Sequence, residues 1–491
     1  MTASDPTVGV GLSPGMRAPR VVIAGAGCAG LAAGLALQKR GFSTLIVERS
    51  DRVGGLAGGI EIEGNCYEYG PHIFHTTDPE ILSDVKAICK EVLEPFERTI
   101  KIKFGSKYFD YPLSPLDILT KLPPLTVLHA VGSLAVNFTR GLFRRGRPFA
   151  NSEEALLQAY GSVLYRIFFR DYIYKVWGIG PESFSPSFAT QRLPSFSPKA
   201  KLLALWHKVF PAPAKAISTE GYVENVEGEY FTTRRGFSLI CEAFAAEYQR
   251  AGGELRLSTT LQRVEFDGGR CTGVTLRSAD GEAREACDWF ASTIPLSLLP
   301  TLFHPPAPVA LAEAAGALQF RAIVFVGILV RRATVLPASF MYFRDKTFNR
   351  ITDLSLFKVE VDPPGSTILV AEITCQPGER LWTDEDHASA CVVDELVADG
   401  ILAHGDVTST HVFKAEHGYP IYRVGYEERL ATALREVAAL QNVSSIGRQG
   451  RFAYINTHVA MKMGYDLARD LASRFGDTAA KPHGGQAPPA R

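Results

Sequence analysis

The chain has 491 residues, more than a single hydrophobic core usually serves, so two or three domains are expected. Apolar residues make up 46% and charged residues 21%, which is an ordinary composition for a globular protein. Lysine plus arginine equals aspartate plus glutamate at 52 each, which excludes a global electrostatic field that favours nucleic acid. A small-molecule partner is expected instead, and an anionic one would need local arginines.

The first elements in chain order form a βαβ unit. Residues 20–27 are a short β-branched run ending in glycines, which predicts a buried parallel strand. Residues 28–41 are rich in alanine and leucine and end at a glycine, which predicts a helix, and residues 43–48 predict the next strand. Such a unit has a right-handed crossover.

The middle of the chain alternates between strand and helix patterns. Residues 99–110 predict a hairpin that turns at Gly105-Ser106, and residues 111–222 have a helical pattern with several prolines. An amphipathic helix is predicted over 237–253, strands with a turn at 267–269 over 254–278, and a buried strand over 289–295.

The last third is strand-rich over 320–375 and helical over 386–402. A strand enters a glycine turn over 442–450, and a helix follows over 458–475. The cofactor domain is therefore predicted to be discontinuous, with substrate-binding elements inserted into it. We predict a cofactor domain over 20–98, 223–300 and 431–476, a substrate domain over 99–110 and 301–430, a helical lobe over 111–222, and disordered tails at 1–19 and 477–491.

Eight cysteines are scattered without a CxxC pair, which argues against a zinc site and against a disulfide framework. We predict no metal and a cytoplasmic location, because the N-terminus also lacks an apolar segment of signal-peptide type. Residues 124–147 are apolar with a basic end. They favour a buried or domain-surface helix, with an interfacial membrane helix as the alternative, so peripheral membrane contact stays open. The oligomeric state has no sequence signal.

Gly25, Gly27 and Gly30 form a GxGxxG loop between the first strand and helix. The first glycine permits a tight turn, the second lets backbone approach a pyrophosphate, and the third allows close helix packing. The helix N-terminus offers unpaired N–H groups to the phosphates. Glu48 ends the second strand, where a carboxylate accepts hydrogen bonds from an adenosine ribose.

The continuation ERSDRVGGLAGG, residues 48–59, adds Arg52, Gly54 and Gly55 to the loop. This ExxxRxGG pattern resembles the flavin-binding superfamily of amine oxidases, protoporphyrinogen oxidases, phytoene desaturases and UDP-galactopyranose mutases. The resemblance implies FAD as the cofactor. It also implies an α/β fold, with a Rossmann-like FAD-binding domain of the GR2 type, a mixed-sheet substrate domain and an inserted helical lobe.

Four further segments carry the resemblance. YGPHIFHTTDPEI at 69–81 is similar to the GxHIFHT segment of the mutases, which implies that Gly70, Pro71, His72, Ile73 and Phe74 line the flavin. YIYKVWGIGPESFSPSFATQRLP at 172–194 is similar to their EKxWG…RLP stretch. There, Trp177 would stack on a substrate base and Arg192 would hold a diphosphate. Core packing for Trp177 and a surface ion pair for Arg192 are equally favoured.

FNRITDLSLF at 348–357 is similar to a mutase segment that makes Arg350 a second phosphate anchor. EHGYPIY at 416–422 implies that Tyr419 and Tyr422 lie in the cavity, although packing explains them equally well. SIGRQGRFAYINTHVAMKMG at 445–464 resembles the C-terminal block of the whole superfamily. It implies that Arg448 contacts the cofactor, Tyr454 faces substrate and Asn456 meets the ribityl chain.

The resemblance thus implies two sets of site residues. The expected FAD-binding residues are Gly25, Gly27, Cys28, Ala29, Gly30, Glu48, Arg49, Arg52, Gly54, Gly55, Leu56, Gly70, Pro71, His72, Ile73, Val264, Gly447, Arg448, Tyr454, Asn456 and Thr457. The expected substrate residues are Trp177, Arg192, Arg350, Tyr419, Tyr422 and Tyr454. Apart from the flavin itself, His72 and Tyr454 are the candidates for catalysis.

Two departures from the mutases bear on the reaction. ASTIPLSLL at 291–299 resembles protoporphyrinogen oxidases, and QRLPSF lacks the second arginine of the mutase segment. They favour an oxidoreductase that moves hydride from a substrate C–H to flavin N5, with a substrate that is sugar- or diphosphate-linked. The HIFHT and KVWG segments with Arg350 and Tyr454 favour the alternative, a mutase-like sugar isomerase that uses reduced flavin as nucleophile. A non-catalytic flavin-binding protein is the third hypothesis.

Overall fold

The computed structural model describes residues 17–143, 147–192 and 229–476. The tails predicted at 1–19 and 477–491 fall largely outside these ranges, as does residue 193 onward of the predicted helical lobe. Within them, the predicted α/β fold is confirmed, because parallel strands with crossover helices coexist with a large mixed sheet.

A five-stranded parallel sheet carries the predicted βαβ unit. Its strands, in spatial order, are Glu254–Arg256, Ser43–Val47, Arg20–Ala24, Trp289–Ser292 and Val443–Ser445. Arg20–Ala24 and Ser43–Val47 are buried along nearly their whole length, since helices or loops cover both faces of the sheet. The carboxyl ends of the strands therefore meet at one edge, where a ligand crevice forms.

The helix Cys28–Gln38 connects the first two strands and is buried over nine of its eleven residues. Its alanines and glycines let a second helix, Thr457–Phe475, lie directly against it. A Cβ atom on Gly464 would come within 2.6 Å of the Ala29 carbonyl oxygen and 2.7 Å of the Ala33 nitrogen. This contact joins the C-terminal segment to the first helix of the chain.

A seven-stranded mixed sheet forms the second layer. In spatial order its strands are Val407–Pro420, Phe320–Val330, Thr367–Cys375, Arg350–Asp353, Phe340–Phe343, Ile100–Phe104 and Lys107–Asp110. One face packs on the helix Glu385–Ala398 through residues such as Val326 and Val392. The other face carries Phe325, Phe340 and Tyr419 and turns toward the parallel sheet.

Three smaller sheets and the remaining helices complete the described chain. The sheets pair Gly59–Ile62 with Asn65–Glu68; Phe74–Thr76, Glu229–Thr233 and Leu93–Pro95; and Gly281–Ala286, Arg270–Ser278, Thr260–Asp267 and Phe303–His304. The remaining helices are Pro79–Ile88, Pro115–Lys121, Pro124–Phe143, Ser152–Leu164, Asp171–Trp177, Pro186–Arg192, Ser238–Arg250, Val309–Gly316, Arg380–Thr383, Tyr426–Ala439 and Gly447–Gly450, with a π-helical turn at Tyr165–Arg170.

Helix starts follow the sequence signals. Asp78 accepts hydrogen bonds from the N–H groups of Glu80 and Ile81, and Pro79 occupies the first helical position. Ser114 caps the helix Pro115–Lys121 in the same way through the N–H of Leu116. None of the helices in the described ranges is long and apolar enough to cross a bilayer.

We predict that Gly464→Ala destabilises the protein by roughly 1–3 kcal/mol, because the added methyl group overpacks the contact with the first helix. Thermal unfolding of the two proteins measures the difference. Gly132→Ala is the matched control, since a Cβ atom there meets nothing within 4 Å in the helix Pro124–Phe143. It should stabilise by roughly 0.5–1 kcal/mol. Equal unfolding temperatures for the two variants would contradict the close-packing argument.

Candidate active site

A cavity of about 830 Å³ is lined by both large sheets. One part, the nucleotide arm, is formed by residues 24, 25, 27–29, 47–50, 52–57, 259–261 and 293–295. Another part, the aromatic arm, is formed by Tyr111, Tyr160, Ile167, Phe168, Phe169, Tyr172, Ile173, Trp177, Phe188, Phe340 and Tyr342. The C-terminal block contributes Gly447, Arg448 and Tyr454–Thr457.

The nucleotide arm is built from two glycine loops that lie against each other. The N–H of Gly54 donates to the Ala26 carbonyl at 2.8 Å, and Gly27 and Gly54 form a parallel bridge. Gly25 has φ +105°, and a Cβ atom there would lie 2.1 Å from Thr293 Oγ1. Side chains at these positions would fill the space that an extended pyrophosphate needs.

Glu48 stands at the carboxyl end of its strand with both oxygens held. The N–H of Ala26 donates to Oε2 at 2.9 Å, and the N–H of Ser50 donates to Oε1 at 3.0 Å. The carboxylate keeps further lone pairs that can accept from a pair of ribose hydroxyls. Arg49 and Arg52 line the same arm.

Two helix N-termini point at the cavity without a side-chain cap. Gly27 precedes the helix Cys28–Gln38, and Asn456 precedes the helix Thr457–Phe475. Cys28, Ala29 and Thr457 line the cavity at these ends. Their backbone N–H groups and the positive ends of the helix dipoles can stabilise a phosphate or a reduced, anionic ring.

Arg448 places a charge between the C-terminal block and the seven-stranded sheet. It donates to the Ile455 carbonyl at 2.8 Å, and its guanidinium carbon lies 4.0 Å from the centre of the Tyr454 ring. Its Nε has no hydrogen-bond partner among the described residues, although it is buried. A buried donor of this kind fits a site that is completed by a bound polar group.

The segment 69–73 passes between the two large sheets. Pro71, His72 and Ile73 line the cavity, and Gly70 lies behind them, where a Cβ atom would approach Glu372 Oε1 to 2.5 Å. Burial, with the nearby charges of Arg350 and Arg448, lowers the pKa of His72 to about 3. His72 is therefore a neutral imidazole near pH 7, which can hydrogen-bond but brings no positive charge.

Arg350 is engaged in a buried ion pair rather than free for an anion. Its Nε and Nη2 donate to the two oxygens of Glu372 at 2.6 and 2.9 Å, and the Glu372 side chain is only 3% exposed. The hydroxyl of Tyr419 donates to the same carboxylate at 3.0 Å. Glu372 therefore compensates the charge of Arg350, which still lines the cavity, and the role of Arg350 as a phosphate anchor stays a prediction.

The remaining predicted substrate residues divide into three groups. Trp177, Tyr419 and Tyr454 line the cavity. The ring centre of Tyr419 lies 6.1 Å from that of Trp177 and 5.0 Å from that of Tyr454. Tyr422 does not line it; its hydroxyl accepts from the N–H of Tyr454 at 2.8 Å and so supports the wall from behind. Arg192 ends the helix Pro186–Arg192, and its side chain lies outside the described residues.

Four residues predicted to meet the cofactor are also not at the cavity surface. Val264 is fully buried in its strand, where it pairs with Val274 and Phe303, and residues 259–261 form the wall instead. Gly30 packs on the loop, since a Cβ atom there would lie 2.0 Å from the Gly25 carbonyl oxygen. Gly70 contributes by its close approach to Glu372, and Phe74 is fully buried.

Sequence patterns missed Glu372, Tyr172 and Tyr342, which all line the cavity. One signal for Glu372 was present, because it is the only charged residue in the strand TILVAEITC, which is buried throughout. A carboxylate in such a strand needs a partner. The two tyrosines had no signal, since their convergence depends on how the helical segment folds over the sheet.

The model of the family described as flavin-containing amine oxidoreductases matches residues 28–396. The chain therefore belongs to this family, and the superfamily resemblance seen in the sequence is confirmed. It is a flavoenzyme, and its cofactor is FAD. The two facing glycine loops, the held carboxylate of Glu48 and the uncapped helix N-termini fit that cofactor.

Two curated relatives show the range of the sequence similarity. A lycopene-forming phytoene desaturase of Paracoccus sp. is 26% identical over 299 residues, 55% of this chain and 53% of that protein. A probable UDP-galactopyranose mutase of Klebsiella pneumoniae is 26% identical over 182 residues, 36% of this chain and 46% of that protein. The matches thus span about half the length of these relatives.

Solved structures resemble the whole fold. Reduced UDP-galactopyranose mutase superimposes with a TM-score of 0.75 at 20% identity, covering 94% of this chain and 96% of that one. A putative protoporphyrinogen oxidase from Exiguobacterium superimposes with a TM-score of 0.68 at 16% identity, covering 94% and 100%. At these identities the likeness shows a shared fold.

We predict that Glu48→Ala weakens FAD binding by roughly tenfold to a hundredfold. The change removes a charged acceptor and leaves the Ala26 and Ser50 N–H groups without it. Flavin fluorescence during titration of the FAD-depleted protein measures the dissociation constant. Glu313→Ala, an exposed glutamate on the helix Val309–Gly316, should bind FAD as the unchanged protein does. Equal affinities for both variants would rule out this role for Glu48.

A second prediction concerns Glu68, which lies behind the segment 69–73. Burial raises the pKa of Glu68 to about 7 from its usual 4.5, against hydrogen bonds from the N–H groups of Phe237 and His72, which lower it. Between these two pH values the folded state keeps a proton that the unfolded state has lost. The free energy of unfolding therefore falls as pH rises from about 4.5 to about 7, by on the order of 3 kcal/mol.

Glu68→Gln, which is neutral at every pH, should flatten this part of the stability profile. Urea unfolding at intervals from pH 4.5 to 8 measures it. Glu313→Gln is the exposed control and should keep the slope of the unchanged protein. A Glu68→Gln profile as steep as the control's would show that Glu68 ionises freely.

Proposed function

We propose that the chain is an oxidoreductase that removes hydride from a C–H bond of a predominantly apolar substrate. The observation that carries this proposal is the aromatic arm, which opens into the same cavity as the nucleotide arm and the C-terminal block. Bound FAD supplies the hydride acceptor at its N5 atom. The protein's own residues bind the cofactor, orient the substrate and exclude water.

The cofactor residues proposed are those that reach the cavity. They are Gly25, Gly27, Cys28, Ala29, Glu48, Arg49, Arg52, Gly54, Gly55, Leu56, Pro71, His72, Ile73, Gly447, Arg448, Asn456 and Thr457. Glu48 would accept from the ribose, and the uncapped helix N-termini would face the pyrophosphate and the ring. Tyr454 would face the substrate, because its ring is held between Arg448 and Tyr419.

The aromatic arm favours an apolar substrate by the hydrophobic effect. Its wall consists mainly of rings and aliphatic side chains, including Phe168, Phe169, Tyr172, Ile173 and Tyr342. Lys103 and Arg344 also line the cavity, and the Arg344 guanidinium lies over the Phe104 ring. Burying apolar surface against such a wall stabilises a complex by about 25 cal/mol for each Å² removed from water. A chain-like hydrocarbon would gain along its whole length, as the similarity to phytoene desaturases also suggests.

The pairing of Arg350 with Glu372 weighs against a diphosphate at this position. An anion placed on Arg350 would meet the buried negative charge of Glu372. The hydrogen bonds to that carboxylate come from Arg350 and from the Tyr419 hydroxyl, and none of them comes from a second cation. Breaking the pair would leave an uncompensated buried charge, which is costly. A sugar-diphosphate substrate is therefore less favoured than the sequence alone suggested.

A mutase-like sugar isomerase is the second candidate. It is favoured by Trp177, Arg350, Tyr419 and Tyr454, which all reach one cavity, as a nucleotide-sugar site would require. The probable UDP-galactopyranose mutase among the relatives supports the same candidate. Such an isomerase needs flavin that is reduced beforehand and forms no oxidised product, so the two candidates differ in redox behaviour.

We predict that the FAD-loaded protein loses its visible flavin absorbance when mixed anaerobically with phytoene, the probe for an apolar polyene. Ile167→Asp, in the wall of the aromatic arm, should raise the phytoene concentration for half-maximal reduction roughly tenfold or more, because a carboxylate in that wall is poorly solvated. Tyr174→Asp, at a position 62% exposed, should leave that concentration unchanged.

The opposite pattern would overturn the proposal. Phytoene would then leave the flavin oxidised, and UDP-galactopyranose would be isomerised only after reduction by dithionite. That outcome would establish the mutase-like function. Reduction by phytoene that is equally efficient in Ile167→Asp and Tyr174→Asp would instead remove the aromatic arm as the binding site.

A further inference from the structure

Two consecutive helices, Pro115–Lys121 and Pro124–Phe143, expose an unusual amount of apolar surface. Eight of the twelve large apolar side chains that are exposed in the described chain lie on them, between 49% and 82% exposed. They include Leu116, Leu119, Leu125, Leu128, Phe138 and Phe143. We call this surface the apolar face. A soluble surface rarely concentrates such side chains unless they meet an apolar partner.

The apolar face is one side of a helix that is fixed on its other side. Ala130 is buried, and Gln158 of the helix Ser152–Leu164 donates to the Asn137 carbonyl at 2.8 Å. A Cβ atom on Gly161 would lie within 2.9 Å of the Leu134 nitrogen, so the two helices are in direct contact. The exposed leucines therefore face outward from a helix that is already packed.

The charged residues around the apolar face indicate which kind of partner covers it. From residue 111 to residue 152 the sequence has one carboxylate, Asp117, which is 7% exposed and lies 2.6 Å from Lys121. Arg140 is exposed near the end of the long helix, and Arg144, Arg145 and Arg147 follow in the sequence. An apolar face that has the exposed Arg140 at one end, and no exposed carboxylate between residues 111 and 152, matches acyl chains beneath anionic headgroups.

We propose that the apolar face docks on the surface of an anionic lipid bilayer. The leucines and phenylalanines lie below the headgroups, and the exposed Arg140 lies level with the lipid phosphates. Tyr111, Pro112 and Leu113 line the cavity and directly precede the helix Pro115–Lys121, so a docked molecule holds one wall of its cavity beside the bilayer. The docking does not depend on which reaction the flavin performs.

Flotation of the FAD-loaded full chain with lipid vesicles tests the proposal. We predict binding to vesicles of phosphatidylcholine with phosphatidylglycerol, weakened by salt and weaker on phosphatidylcholine alone. The double variant Leu125→Asp/Leu128→Asp should reduce partitioning by roughly tenfold or more, because it places two carboxylates among the acyl chains. Val309→Asp, at a position 70% exposed on another helix, is the control and should bind as the unchanged protein does.

A further variant separates the apolar and electrostatic contributions. Arg140→Glu should lower binding to the anionic vesicles and leave binding to the neutral ones unchanged. Retained flavin absorbance shows that each variant is folded. The proposal is overturned if Leu125→Asp/Leu128→Asp floats with the vesicles as the Val309→Asp control does. It is also overturned if Leu125→Asp/Leu128→Asp converts a dimer into a monomer and leaves flotation unchanged, because the apolar face would then bind a second copy of the chain. Neither result would change the expected reduction of the flavin by phytoene under anaerobic conditions, so the two proposals can fail separately.

Discussion

The architecture depends on close backbone contact around the N-terminus of the first helix. Gly27 lies against Gly54 of the second glycine loop, and Gly464 of the C-terminal helix lies against Ala29. Each contact joins separate elements of the chain. A Cβ atom on Gly464 would collide with the first helix, and Gly54 has φ +105°, where a Cβ atom would lie 2.6 Å from the Gly58 Cα atom. The nucleotide arm exists because these contacts leave a channel that is lined by backbone rather than by side chains.

The second organising interaction is the ion pair of Arg350 and Glu372. It lies on the inner face of the seven-stranded sheet and is joined by the hydroxyl of Tyr419. A buried pair of this kind contributes little net stability but is costly to break, so it holds its neighbours in one arrangement. The segment 69–73 packs onto Glu372 through Gly70, which ties this wall to the region around His72.

Two regions of the molecule therefore differ in the chemistry of their surfaces. The nucleotide arm and the C-terminal block offer backbone N–H groups, Glu48 and Arg448, which suit a charged and hydrogen-bonding cofactor. The aromatic arm and the nearby apolar face offer rings and aliphatic groups to a ligand and to the outside of the molecule. The aromatic arm and the apolar face both lie in or beside the segment 111–192. This segment therefore adapts a shared cofactor-binding fold to a particular use.

The sequence by itself determined the cofactor and the α/β fold. Gly25, Gly27 and Glu48 indicate a dinucleotide through their local spacing between a strand and a helix, and the continuation with Arg52, Gly54 and Gly55 indicates FAD through its resemblance to known flavoproteins. It also showed the apolar segment at 124–147, although not which of its sides is exposed. Only the tertiary structure decided that Arg350 is neutralised and that Tyr422 supports the cavity wall from behind. Such facts depend on partners that folding brings from distant segments, and no local pattern encodes those partners.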